Sequence, residues 1–162
     1  MDYEIVRASE RDRSEILSLY RAQIGREGCF WNEHYPNDDT IDFDLSRDAL
    51  FIAKMDGKII GATSIEYDED VNKLPCWNKE LELECEFARI CVDPTIQNRG
   101  FGRILLEFIA EEIKRRGYNG IHILVNKKNT KALRLYDSFG FVNVGECFMY
   151  DQDFWCYEKD LR

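Results

Sequence analysis

The sequence predicts an α/β fold, a mixed sheet with helices on its faces. Three observations predict it. Short β-rich runs and helix-spaced runs follow the order β-α-α-β-β-β-α-β-α-β-β. Hairpin signals occur twice, at Asp56-Gly57 and at residues 151–153. The 162 residues are 44% hydrophobic, with three prolines, no repeat and no low-complexity run. One domain over 1–162 with a buried core is therefore expected.

Each element has a local reason. Residues 3–7 alternate in polarity and read as a strand. Ser9 with Asp12 signals a helix start, and Ile16, Leu17 and Tyr20 then share one face. Gly25 and Gly28 end that helix. Residues 29–37 form an aromatic-rich loop. Residues 39–49 read as a short helix with Ile41 and Leu45 on one side. Residues 50–55 and 58–67 are strands joined by Asp56-Gly57, where positive φ is needed. Residues 68–79 are a polar connection holding Trp77. Residues 80–92 read as one long strand, and residues 103–116 as an amphipathic helix closed by Gly117. A strand at 120–125 and a helix at 129–139 follow, the latter ended by Gly140. Residues 141–150 and 154–159 close the chain as a strand pair.

Composition excludes several classes. No apolar run approaches the ~20 residues that span a bilayer. The start M-D-Y-E-I-V lacks a basic segment followed by an apolar one, so a cytoplasmic protein without a signal peptide is expected. Six cysteines without C-x-x-C, and two histidines, point to buried thiols rather than a metal site. The net charge is −9, but residues 97–134 carry nine Lys/Arg against three acids. That segment is +6 and the remainder −15. The acidic remainder disfavours nucleic acid. The basic island suits a compact polyanion, and the acidic surroundings suit a cationic second ligand.

Two motifs carry chemistry. Gln97, Asn98, Arg99, Gly100, Phe101 and Gly102 lie between a strand and a helix. Two glycines two apart let backbone approach a ligand, and the helix start presents unpaired N–H groups. That combination binds phosphate, although a tight strand-to-helix turn has the same pattern. It lacks the third glycine and distant acid of the dinucleotide fingerprint, and the Gly-Lys-Ser/Thr of the P-loop. The second motif is N-x-x-A-x-x-x-Y-x-x-x-G-F, with Asn129, Ala132, Tyr136, Gly140 and Phe141 in place. Asn129 and Tyr136 are two helical turns apart and project from nearly one face, which a capping Asn and a core Tyr would also do.

Together the motifs resemble those of the GNAT superfamily of acetyl-CoA-dependent N-acetyltransferases, which carries Q/R-x-x-G-x-G/A at a strand-to-helix junction and the Asn–Tyr helix later. Arg89 to Pro94, R-I-C-V-D-P, also looks like that family's strand end. The resemblance implies a mixed, mostly antiparallel seven-stranded sheet with helices on both faces and splayed central strands. It implies that acetyl-CoA is the co-substrate, its pyrophosphate held by backbone N–H groups from Gln97 to Gly102. Arg99 and Arg103 would add charge, and Lys127, Lys128 and Lys131 could meet the outer phosphate or simply face solvent. Ile90, Cys91 and Val92 would offer backbone groups to the pantetheine arm, and Asn129 and Tyr136 would complete the cofactor set.

For the chemistry, the resemblance makes Tyr136 the general acid, protonated at neutral pH with an ordinary pKa of ~10. A base must take a proton from the attacking ammonium. Glu80, Glu82, Glu84 and Glu86 alternate with apolar residues and would share one strand face, solvated or functional. Glu86 is the expected base, directly or through water. The apolar residues Ala88, Ile90 and Val92 then continue the glutamate face, so a bulge near Arg89 is expected. An acyl-cysteine route lacks an adjacent histidine. The acceptor pocket in this family would draw on Phe30, Trp31, Glu33, Tyr35, Trp77, Tyr150 and Trp155. Aromatics with acids suit a cationic amine, and the same aromatics could pack a core or a dimer contact. The expected activity is acetyl transfer to a primary amine of a small molecule. A protein N-terminus or lysine is the second acceptor, and a non-catalytic acyl-CoA-binding module the reading of another class. Neither nucleic acid nor membrane is an expected partner, and a homodimer is possible for the family.

Overall fold

The computed structural model describes residues 2–162. Its strands are β1 (Glu4–Arg7), β2 (Leu50–Met55), β3 (Lys58–Glu66), β4 (Glu84–Val92), β5 (Gly120–Asn126), β6 (Val142–Met149) and β7 (Gln152–Asp160). Its α-helices are α1 (Arg13–Arg21), α2 (Asp38–Ser46), α3 (Glu69–Asn72), α4 (Phe101–Arg115) and α5 (Thr130–Ser138). Strand order is β1-β2-β3-β4-β5-β7-β6 in a seven-stranded mixed sheet. The chain packs as two compact units. One is Met1–Glu66 with Ala88–Ile109, the other Tyr67–Phe87 with Ala110–Arg162. Strand β4 contributes to both.

In the first unit, β1, β2 and β3 pair antiparallel. Alternate residues of β2 serve opposite faces, as a pleated strand requires. Leu50 and Ile52 pack with Ile16, Leu19 and Tyr20 of α1 and Ile41 of α2. Ala53 packs with Ile60, Val92, and Phe101 and Leu105 of α4. Both faces of β3 are covered, so it is buried from Ile59 to Ile65. A register shift at Ala53/Lys54 gives β3 one extra residue, so Ile59 and Ala62 reach the same face despite odd spacing. Gly61 must lack a side chain: a Cβ there would lie 2.9 Å from Leu105 Cδ1 and 3.1 Å from the Cys91 carbonyl.

In the second unit, β5 pairs antiparallel with β7, and β7 with β6. Parallel pairing of β4 with β5 is confined, among the described residues, to Glu84↔Gly120 and Cys85↔Ile121. On one side lie Val71, Trp77 and Cys156. Phe87, Tyr136 and Phe141 form a separate aromatic trio, with ring centroids 5.7–6.2 Å apart. Such pairs add about 0.5–1.5 kcal/mol beyond area burial.

Three expectations are corrected. Residues 80–83 are not strand, because Asn78 makes a turn: its side chain accepts from the Glu80 N–H (3.0 Å) and its carbonyl from the Leu81 N–H (3.0 Å). The expected face of four carboxylates therefore does not form. Glu80 and Glu82 are exposed and outside the strand, whereas Glu84 and Glu86 are in it with buried side chains. The last hairpin turns at Tyr150-Asp151 (φ 53° and 58°) rather than at 151–153, so β7 begins at Gln152. The 68–79 connection contains the one-turn α3, capped by Asp68, which accepts from the Asp70 and Val71 N–H groups. The interruption in β4 lies at Arg89, with φ 54°.

Candidate active site

The first unit supplies the loop. Strand β4 ends in a 3-10 turn, Pro94–Ile96, capped by Asp93. Asn98 and Gly100 then take φ of 65° and 86°, left-handed values that favour glycine and asparagine. Asn98, Arg99 and Gly100 are exposed. In α4 the Ile104 N–H bonds the Gly100 carbonyl at 3.1 Å. The first N–H groups of the helix, on Phe101 and Gly102, precede the first residue that can reach an acceptor one turn back. They sit at the positive end of a 15-residue helix, the geometry that receives phosphate.

The Gln97 side chain faces inward. Arg26 donates to its Oε1 (2.7 Å), and its Nε2 donates to the Val92 carbonyl (3.1 Å) and Gln23 Oε1 (3.4 Å). Gln23 is buried and also donates to Val92 (2.9 Å). The segment after α1 thus ties the loop to the end of β4. Arg103 pairs with Glu107 at 3.4 Å. Ile90, Cys91 and Val92 lie between the interruption and the loop, on the stretch of β4 that belongs to this unit.

Arg89 itself is buried, and the sequence reading assigned it no role. Its guanidinium makes a bidentate pair with Asp44 (2.9 and 3.0 Å), pairs with Glu66 (2.7 Å) and donates to the Tyr35 hydroxyl (3.0 Å). Arg47 and Ser64 also bond Asp44, each at 2.8 Å. Burial works against the Arg89 charge, but Tyr35, Asp44 and Glu66 hold it protonated. The clamp fixes the backbone where β4 leaves regular pleat. The one signal in the sequence was an arginine inside the apolar run F-A-R-I-C-V. Tyr35 meets this clamp, and Trp31 packs edge-on against Tyr20 with centroids 5.4 Å apart. Phe30 and Glu33 are exposed.

The second unit supplies the candidate acid and base. Asn129 caps α5, accepting from the Ala132 N–H at 3.2 Å. Tyr136 is buried against Phe87 and Phe141, and burial pushes its phenol up. It is therefore a proton donor and not a phenolate. Glu86 is buried on β4. Near it the Tyr150 hydroxyl is hydrogen-bonded to Asp68. Burial, that bond and the fields of Asp70 and Glu86 push the Tyr150 phenol up. Trp155 lies under Lys127 (4.2 Å), which pairs with Glu146 (2.8 Å) and Asp153 (3.2 Å). Trp77 is a core residue of this unit. It stacks on His122 (4.5 Å) and donates its indole N–H to the Val71 carbonyl (2.8 Å).

Two further carboxyls share this unit. Burial pushes both the Glu84 and the Glu158 carboxyl up, and each acts on the other. Glu158 also accepts from the Asn78 N–H (2.9 Å). Burial and Glu84 push Glu158 up to about 7, and burial pushes His122 down to about 4. His122 Nε2 faces Asn72 Oδ1 at 2.8 Å and its Nδ1 lies 3.6 Å from Glu84.

Residues 15–141 match the Acetyltransferase (GNAT) family, and the chain belongs to that family. A stretch of 58 residues, 36% of this chain, is 41% identical to the [ribosomal protein bS18]-alanine N-acetyltransferase of Salmonella typhimurium strain LT2. The chain spans 39% of that relative's length. Among solved structures, an N-acetyltransferase from Staphylococcus aureus Mu50 superposes with a TM-score of 0.76 at 20% identity, covering 100% of both chains. The PaiA N-acetyltransferase of Thermoplasma acidophilum, solved with coenzyme A, gives 0.72 at 18% identity over 99% of both chains. At those identities the likeness shows the fold.

Proposed function

We propose that this protein transfers an acetyl group from acetyl-CoA to a primary amine of a small molecule, by direct attack in a ternary complex. The observation that carries the reading is the loop from Gln97 to Gly102. Its left-handed Gly100 and the start of α4 at Phe101 fit a pyrophosphate, and family membership supplies the donor. Backbone groups of Gln97 to Arg103 hold the phosphates, with Arg99 and Arg103 adding charge. Ile90, Cys91 and Val92 orient the donor through their backbone. Asn129 sets the start of the helix that carries Tyr136.

The thioester of the donor supplies the acetyl group. Glu86 takes the proton from the acceptor ammonium, directly or through water, and Tyr136 protonates the leaving thiolate. Tyr150 beside Asp68, Asp70 and Glu86 forms an acidic, aromatic surrounding that favours a cationic acceptor. A second acceptor, a protein N-terminus, is favoured by the 41% identity to an enzyme named for a ribosomal alanine. An acceptor screen that follows thiol release separates the two. Turnover with small amines and none with N-terminal peptides supports the first, and the reverse supports the second. Failure of acetyl-CoA to raise the melting temperature removes both.

A further inference from the structure

The connection between β3 and β4 meets the β6–β7 hairpin through sulfur. Gly145 on β6 lies opposite Cys156 on β7. A Cβ at Gly145 would lie 3.1 Å from Cys76 Cβ and 3.7 Å from Cys76 Sγ, so Cys76 sits directly over that glycine. Cys76 and Cys147 both pack against the buried cluster that holds Cys156. All three belong to the cluster of Val71, Trp77 and Met149, while Cys29, Cys85 and Cys91 lie outside it. Cys156 is fully buried, and Cys76 and Cys147 are half-buried. All six cysteines are thiols.

Packing alone does not call for three cysteines in one cluster, since small alkyl groups fill such space equally well. We propose that Cys76 and Cys156 are an oxidation site, forming a reversible disulfide when the protein meets a hydroperoxide. Cysteine Cβ atoms can be bridged when they approach within about 3.5–4.5 Å. The seat of Cys76 over Gly145, beside Cys156 across the ladder, brings the two residues together. Burial pushes the Cys147 and Cys156 thiols up, which slows their own attack on peroxide. Peroxide reaches the half-buried Cys76 before the fully buried Cys156, so reaction starts at Cys76. Its sulfur attacks the peroxide oxygen, the O–O bond breaks, and a sulfenic acid and water form. The Cys156 sulfur then displaces hydroxide from the sulfenic acid, and the thiol proton completes a second water. Two thiols are oxidised by two electrons and one hydroperoxide is reduced. The bridge pins to the hairpin the connection that also carries Asp68, the partner of Tyr150.

The test is mild hydrogen peroxide treatment of the full chain, quenching with an alkylating reagent, and peptide mapping. The expected result is loss of two alkylatable thiols, a linked Cys76–Cys156 peptide, alkylated Cys147, and full recovery of thiols with a dithiol reductant. A Cys76→Ser variant should lose no thiols under the same treatment, and Cys147→Ser should lose two. Six alkylated cysteines, a bridge that includes Cys147, or Cys76 as sulfinic acid with Cys156 still alkylated would each overturn the proposal. The readout is chemical, so it stands apart from whether the protein turns over acetyl-CoA.

Discussion

Two buried clusters, one in each unit, treat charge in opposite ways. In the first, Arg89 sits among Asp44, Glu66 and Tyr35, and every partner answers its charge. In the second, burial raises both Glu84 and Glu158, beside a His122 that burial keeps neutral. A charge met by its opposite stays ionised through the ordinary pH range. Burying like groups together disfavours their ionisation, and Glu158 is pushed up to about 7. The first arrangement holds β4 in shape, and the second makes its own unit responsive to pH.

The largest expected effect breaks the paired arrangement. Arg89→Ala takes the buried cation from Asp44 and Glu66, leaving them only the partly exposed Arg47, and should cost about 3–5 kcal/mol, read by chemical denaturation. Tyr136→Phe keeps the aromatic trio and removes the proton donor. Its kcat should fall about 10²-fold or more with melting temperature little changed. If Tyr136→Phe acetylates amines as fast as wild type, the acid role is wrong. Gly61→Ala should cost about 1–3 kcal/mol, because the added carbon meets Leu105 and the Cys91 carbonyl.

The smallest effects separate the signs of Glu158 and His122. Glu158 has its pKa raised from 4.5 to about 7 by folding, so its stabilisation is complete below 4.5 and is lost as pH rises through 7. His122 has its pKa lowered from 6.5 to about 4, so its stabilisation is complete above 6.5 and is lost as pH falls through 4. Between pH 4.5 and 6.5 the two slopes oppose, and wild-type stability should be nearly flat with respect to this cluster. Glu158→Gln should uncover a melting temperature that rises with pH from 4 to 6.5. His122→Asn should uncover one that falls with pH from 4.5 to 7. Identical pH profiles for the two variants would remove the assignment.

Much of the fold was legible because periodicity is local. Ile16 and Tyr20, the β2 and β3 runs with Asp56-Gly57 between them, and Asn129 to Phe141 all announced their elements within a few residues. The misreadings have local causes too. Residues 80–83 alternate like a strand, but the Asn78 turn captures them. The four-residue α3 is too short to show a period. The buried clusters were not legible. Arg89 finds Asp44 across 45 residues and Glu66 across 23, and Glu84 finds Glu158 only through sheet pairing. Cys76, Cys147 and Cys156 share no sequence motif, and only folding brings them into one cluster. Within the candidate site the phosphate loop was readable from glycine spacing, whereas the Gln23 and Arg26 bonds that hold Gln97 were not.

Titration of acetyl-CoA into wild-type protein and a Gly100→Val variant, followed by calorimetry, tests the central claim most directly. A side chain at Gly100 has room but not the conformation, since φ is 86° and valine resists left-handed backbone. The prediction is binding by wild type and at least about tenfold weaker binding by the variant, about 1.4 kcal/mol, with the circular dichroism spectrum unchanged. Equal affinities for the two proteins, or no binding by the wild type, would contradict the assignment of this loop to coenzyme A.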